Sequence, residues 1–122
     1  PGKVLITQPR RVAVLSLADR LRFELDKNDI ISHKTRSDSL IFTNSLLEVC
    51  TEGVLLKTLM SDSMLSEYSV IILDEVHERS YICDFLIVLI CRIQRVRNST
   101  SSCTPLRLIL MSATLCSDIF EY

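Results

Sequence analysis

Val70-Ile71-Ile72-Leu73-Asp74-Glu75-Val76-His77-Glu78-Arg79-Ser80 sets four consecutive large aliphatics directly against two carboxylates. An unbroken aliphatic run, with no alternation of polar residues, suits a central parallel strand covered on both faces. The carboxylates then fall at its carboxyl end, where open α/β sheets gather their ligands.

Working outward, Lys3-Val4-Leu5-Ile6-Thr7 is a second β-branched apolar run, stopped by Pro9. From Arg10 to about Asn28, apolar residues recur at spacings of three and four (Val12, Val14, Leu15, Leu17, Ala18, Leu21, Phe23, Leu25), which predicts an amphipathic helix. Residues 30–43 are mixed and polar. Leu46 to Thr51 reads as a strand, and Gly53-Val54-Leu55-Leu56 opens a short helix. Beyond the central strand, Asp84 to Val96 is a long helix, Asn98 to Thr104 a Ser/Thr-rich loop, and Leu106 to Met111 a further strand. Strands separated by helices of this length imply right-handed βαβ crossovers and an α/β fold with a parallel sheet.

At 122 residues and 48 % apolar content the chain supports one modest core. Fourteen basic residues face 15 acidic ones, so a nucleic-acid contact must be local and cannot arise from bulk charge. The longest apolar runs fall far short of the roughly 20 residues that span a bilayer. Pro1-Gly2-Lys3-Val4 carries no signal-peptide pattern, and five unevenly spaced cysteines offer no zinc spacing, which suits a reducing, intracellular setting with nucleus and cytoplasm both open. Aromatic content is 6 %, and Tyr68, Tyr81 and the phenylalanines stand in apolar contexts that read as core.

Each apolar run ends in polar residues: Thr7-Gln8, Thr51-Glu52, Asp74-Glu75 and Ser112-Ala113-Thr114. Phosphoryl transfer from a nucleotide needs a carboxylate near Mg²⁺ and a second group aligning the attacking water, and Asp74 and Glu75 can divide that work. Helix capping, or a hydrolytic carboxylate pair unrelated to nucleotides, would use the same residues.

Asp74-Glu75-Val76-His77-Glu78-Arg79 resembles motif II of the DEAH-box helicases, with Val76 in place of the commoner alanine. Thr7-Gln8-Pro9-Arg10-Arg11-Val12-Ala13 is similar to motif Ia, Thr51-Glu52-Gly53-Val54-Leu55-Leu56 to motif Ib, and Leu110-Met111-Ser112-Ala113-Thr114-Leu115 to motif III. The four stand in the family's order across nearly the whole chain.

The resemblance implies a RecA-like parallel sheet flanked by helices, a three-layer αβα arrangement, with residues 1–122 forming part of the first ATP-binding domain. It implies Mg²⁺ held through water by Asp74, hydrolytic water activated by Glu75, and His77 coupling the ATP site to Ser112 and Thr114. It places Gln8, Pro9, Arg10, Arg11, Thr51 and Gly53 on nucleic acid, most readily RNA though DNA is open, through backbone contacts. Arg36 joins them on a looser match to the hook-turn region, where a surface salt bridge is the alternative. Ile31-Ser32-His33-Lys34 departs from the family's glycine followed by an aromatic residue.

No Gly-x-x-x-x-Gly-Lys-Ser/Thr occurs, and Val4 after Gly2-Lys3 lacks the hydroxyl that Mg²⁺ requires. A second RecA-like domain and accessory domains are implied partners, and the chain alone is expected not to hydrolyse ATP. The reading is a fragment of an ATP-dependent RNA helicase. The alternative is a non-hydrolysing RNA-binding or scaffold protein derived from one.

Overall fold

The structure, a computed structural model, describes residues 2–101 and 103–114. Leu115 of the motif III match and Cys116 lie outside them. The strands are β1 (Lys3–Gln8), β2 (Ile31–Lys34), β3 (Ser39–Leu40), β4 (Leu47–Thr51), β5 (Tyr68–Leu73) and β6 (Arg107–Leu110). The helices are α1 (Arg11–Leu25), α2 (Glu52–Ser61) and α3 (Tyr81–Ser99), with a 3₁₀ turn at Val76–Glu78. One sheet holds all six strands in the order β3-β2-β4-β1-β5-β6. Every neighbouring pair is parallel except β2 and β3.

Right-handed crossovers place the helices. The chain leaves β1 towards β2 and later leaves β4 and β5 the opposite way, so α1 lies on one face while α2 and α3 lie on the other. Val14 and Ala18 of α1 pack on Ile31 and Val49, and the larger core joins Leu5, Cys50, Ile71 and Leu73 to Leu55, Leu86 and Ile90. The three-layer α/β reading therefore holds. Because β1 and β5 are adjacent and their connections leave on opposite faces, a crevice opens at their carboxyl ends.

Residues 30–43 contain β2, which polarity concealed. Ile31, Ser32 and His33 are all buried: Ser32 Oγ accepts from the Phe42 N–H at 2.9 Å and His33 Nδ1 accepts from Arg22 Nη2 at 2.9 Å, while His33 Nε2 has no hydrogen-bond partner and lies 3.6 Å from Asp38 Oδ2. The α1 stripe also differs from its apolar reading. Its buried face is Val14, Ala18 and Arg22, whereas Val12 and Phe23 are 75 % and 87 % exposed. Arg22 displaces an apolar residue there because its Nε and Nη2 reach the Ile31 carbonyl at 3.2 and 2.9 Å. Aromatic residues are likewise not uniformly core: Tyr68 is buried, but Tyr81 is 88 % exposed and Phe85 53 %. The α3 helix starts at Tyr81 rather than Asp84, because Ser80 Oγ caps it by accepting from the Cys83 N–H at 3.0 Å.

Candidate functional site

Parallel pairing of β1 with β5 sets Thr7 opposite Leu73, so the next residues, Gln8 and Asp74, emerge side by side at the crevice. Gln8 Nε2 donates to Asp74 Oδ2 at 2.6 Å, and the Glu75 N–H donates to Asp74 Oδ1 at 2.8 Å. The sequence grouped Gln8 with the nucleic-acid residues, whereas the structure puts its side chain on the carboxylate.

Glu75 leaves the strand in the left-handed region, φ 58° and ψ 34°. A non-glycine residue held there stores on the order of 1–3 kcal/mol. The turn swings the chain into the 3₁₀ segment and separates the directions of the two carboxylates. It also brings His77 back beside Glu75, with Nδ1 3.3 Å from Glu75 Oε2. The same nitrogen lies 3.3 Å from the Ala113 N–H, from which it accepts. One ring nitrogen cannot both donate to the carboxylate and accept from the amide, so the two contacts need different placements of the ring proton, as the two tautomers of a neutral imidazole provide. Contact with the 112–114 turn therefore runs through the Ala113 backbone. Ser112 Oγ donates within that turn to the Thr114 carbonyl at 2.6 Å, and Val76 N–H to the Met111 carbonyl at 3.0 Å fixes the turn against the 3₁₀ segment.

Arg11, Lys34, Thr35, Arg36, Thr51, Gly53, Lys57 and Thr58 line a groove of about 870 Å³ at the same edge of the sheet, beside the α2 N-terminus. Four cations and several hydroxyls face it, and no acidic side chain is among the lining residues. Glu52, in the first turn of α2, is buried and turned away: Ser80 Oγ donates to its Oε2 at 2.6 Å. The α2 N-terminus therefore faces the groove with no carboxylate of its own pointing into it. Arg11 Nη1 donates to Ser37 Oγ at 2.6 Å, tying α1 to the β2–β3 turn that carries Arg36. A Cβ at Gly53 would meet nothing within 4 Å, so this wall is open.

Sequence reasoning named Arg11, Arg36, Thr51 and Gly53, and the fold brings all four together. It missed Lys34 and Lys57. Lys57 was legible as the residue one helical turn beyond Gly53, on the same face as the α2 N-terminus. Pro9 and Arg10 do not line the groove; Arg10 Nη2 instead pairs with Glu78 Oε1 at 3.1 Å, spanning from α1 to the 3₁₀ segment.

The two buried thiols, Cys50 and Cys83, are not poised to react. Burial, then the Glu52 and Asp84 carboxylates, push the Cys83 thiol up to about 11. Burial and Glu48 push that of Cys50 up further. Among the described residues no three His, Cys, Asp or Glu side chains converge as a metal cage, and no helix is long and apolar enough to cross a membrane.

No protein-family model matches the chain. ATP-dependent RNA helicase DEAH13 of Arabidopsis thaliana is 44 % identical over 133 residues, covering 93 % of this chain. ATP-dependent RNA helicase DHX33 of Homo sapiens is 39 % identical over 124 residues, covering 98 %. The crystal structure of the Escherichia coli DEAH/RHA helicase HrpB matches with a TM-score of 0.85 at 36 % identity over 96 % of this chain. The chain belongs to the DEAH-box helicase family. It spans 11 % of the Arabidopsis relative, 17 % of the human one and 15 % of HrpB. As a DEAH-box chain it presents, on one sheet edge, the signature carboxylates and a groove lined by four cations.

Proposed function

We propose that this chain is part of the first RecA-like domain of an ATP-dependent RNA helicase, lacking the P-loop unit, and that the whole protein couples ATP hydrolysis to movement along or unwinding of RNA. The observation that carries the reading is the Arg10–Glu78 ion pair, which joins the motif Ia arginines to the turn bearing Glu75 and His77. RNA is favoured over DNA because the relatives are named RNA helicases.

Asp74 is the residue that would hold Mg²⁺. A single carboxylate with lone pairs left for other ligands fits a cation that keeps several waters and takes its remaining ligands from phosphates. Bound there, the ion would neutralise charge developing on the transferred phosphoryl group. Glu75, kept off Asp74 by its left-handed backbone, serves as general base for the attacking water. His77 reports the state of that site to the 112–114 turn by exchanging its Glu75 contact for the Ala113 one, so that Ser112 and Thr114 move with it.

In the groove, Arg11, Arg36, Lys34 and Lys57, with the Thr51–Gly53 amides at the α2 N-terminus, bind phosphates. Such contacts read backbone and not sequence. Arg10 would add a phosphate contact on leaving Glu78, and Pro9 fixes the bend that starts α1.

In the complete helicase, Glu75→Gln should retain Mg-ATP binding while RNA-stimulated hydrolysis falls on the order of a hundredfold. Near-normal turnover would remove Glu75 as the base. A wild-type protein that binds RNA without hydrolysing ATP would support the scaffold reading instead.

A further inference from the structure

We infer that Gln8 is a positioning residue for the Asp74 carboxylate and works at the nucleotide end of the domain, not on the nucleic acid that its motif suggests. The inference rests on the reading of Asp74 as the Mg²⁺-holding residue.

Gln8 is only 8 % exposed, and its amide is committed to Asp74 at 2.6 Å. The orientation is chemically determined: a carboxylate only accepts, so the NH₂ side of the amide must face it. Asp74 has two oxygens and each has one protein donor, the Glu75 N–H on Oδ1 and Gln8 on Oδ2. With both oxygens held, the carboxylate plane is fixed and its remaining lone pairs are left for other ligands. The Glu75 N–H comes with the backbone. Gln8 is therefore the side chain on which that orientation depends.

Topology supports the assignment independently. Gln8 ends β1 and Asp74 directly follows β5, the two adjacent strands whose connections leave on opposite faces, the position at which an α/β sheet opens its ligand crevice. Gln8 does not line the basic groove, whereas Arg11, three residues on, does.

Side chains that orient a metal-holding group typically change metal affinity by 10- to 100-fold when removed. The measurement is binding of a fluorescent ATP analogue to the complete helicase across a Mg²⁺ titration, without hydrolysis, together with RNA affinity in the absence of nucleotide. Gln8→Leu should raise the half-saturating Mg²⁺ concentration roughly tenfold and leave RNA affinity unchanged. In an Asp74→Asn background it should add nothing. Gln8→Met, which keeps the length of the side chain without its donor, should behave alike.

An unchanged Mg²⁺ requirement in both Gln8 variants, with Asp74→Asn clearly shifted, would overturn the positioning role alone. A fall in RNA affinity instead would return Gln8 to the nucleic-acid path. Failure of both variants to fold would make Gln8 a structural residue. An Asp74→Asn variant with normal Mg²⁺ dependence would sink the metal reading, and this inference with it.

Discussion

Gly53 stands in the first turn of α2 with open space where a side chain would begin. A glycine in a helix costs roughly 0.5–1 kcal/mol relative to alanine, so structure alone gives no reason to keep it. Gly53→Ala should raise stability by about that amount while weakening RNA binding, because the added methyl enters the groove. A chemical-denaturation midpoint and an RNA titration on one protein test both halves, and unimpaired RNA binding would mean that phosphates do not approach this wall. Thr7 presents the opposite case. Its hydroxyl is fully buried with no partner in the protein, and burying one unpaired costs roughly 1–3 kcal/mol. Thr7→Val should therefore be stabilising by about 1 kcal/mol; a loss of stability would show that the hydroxyl is satisfied by water.

At the scale of elements, two buried arginines do what apolar patterning does elsewhere. Arg22 ties α1 to β2. Arg97, 2 % exposed, ties α3 to two loops, donating to the Thr104 carbonyl at 2.7 and 2.9 Å, the Leu65 carbonyl at 2.7 Å and the Met64 carbonyl at 3.2 Å. Arg97→Met would remove four donated hydrogen bonds, leaving the Leu65 carbonyl only its bond from the Tyr68 N–H, and should destabilise the fold by about 3 kcal/mol, measurable by urea unfolding. Arg22 on the buried face of α1, and Ser32 and His33 in β2, are polar residues that hydropathy assigns to solvent, which is why the strand β2 and the true face of α1 were not legible from the sequence. The carboxylate site was legible as residue types, since Asp74, Glu75 and His77 follow a strand no pattern could miss. What spacing could not show is that His77 meets the 112–114 turn through a backbone amide, or that Gln8 turns to Asp74, because both depend on strand register.

Across the whole molecule a net charge of -1 conceals a groove faced by four cations. RNA affinity should therefore fall steeply with salt. Lys57→Ala should weaken binding and reduce the slope of log affinity against log salt by about 0.7, the share of one single-stranded phosphate contact. An unchanged slope would place Lys57 outside the path. Alkaline stability follows from the buried acids. A thiol whose folded value is raised contributes stability that is fully present below its unfolded pKa and lost as pH rises through the folded one. For Cys83 the window runs from roughly 8.5 up to about 11. Unfolding midpoints should decline across it, and Cys83→Ala should lessen that decline. On the α1 face of the sheet Ile109 is 45 % exposed and Val70 and Ile72 are half-buried, while α3 packs on β6 from the opposite face.

The sequence by itself determined the α/β class, the strand that carries the carboxylates and the order of the four motifs, because aliphatic runs and short signatures are local and survive without coordinates. Only the tertiary structure decided which polar groups meet. Parallel register set Gln8 on Asp74, crossover handedness opened the crevice between β1 and β5, and folding α2 against β4 gathered Lys34, Arg36 and Lys57 with Arg11. Those meetings join residues far apart in the chain, and their directions are fixed by hydrogen-bonded neighbours that no local pattern encodes.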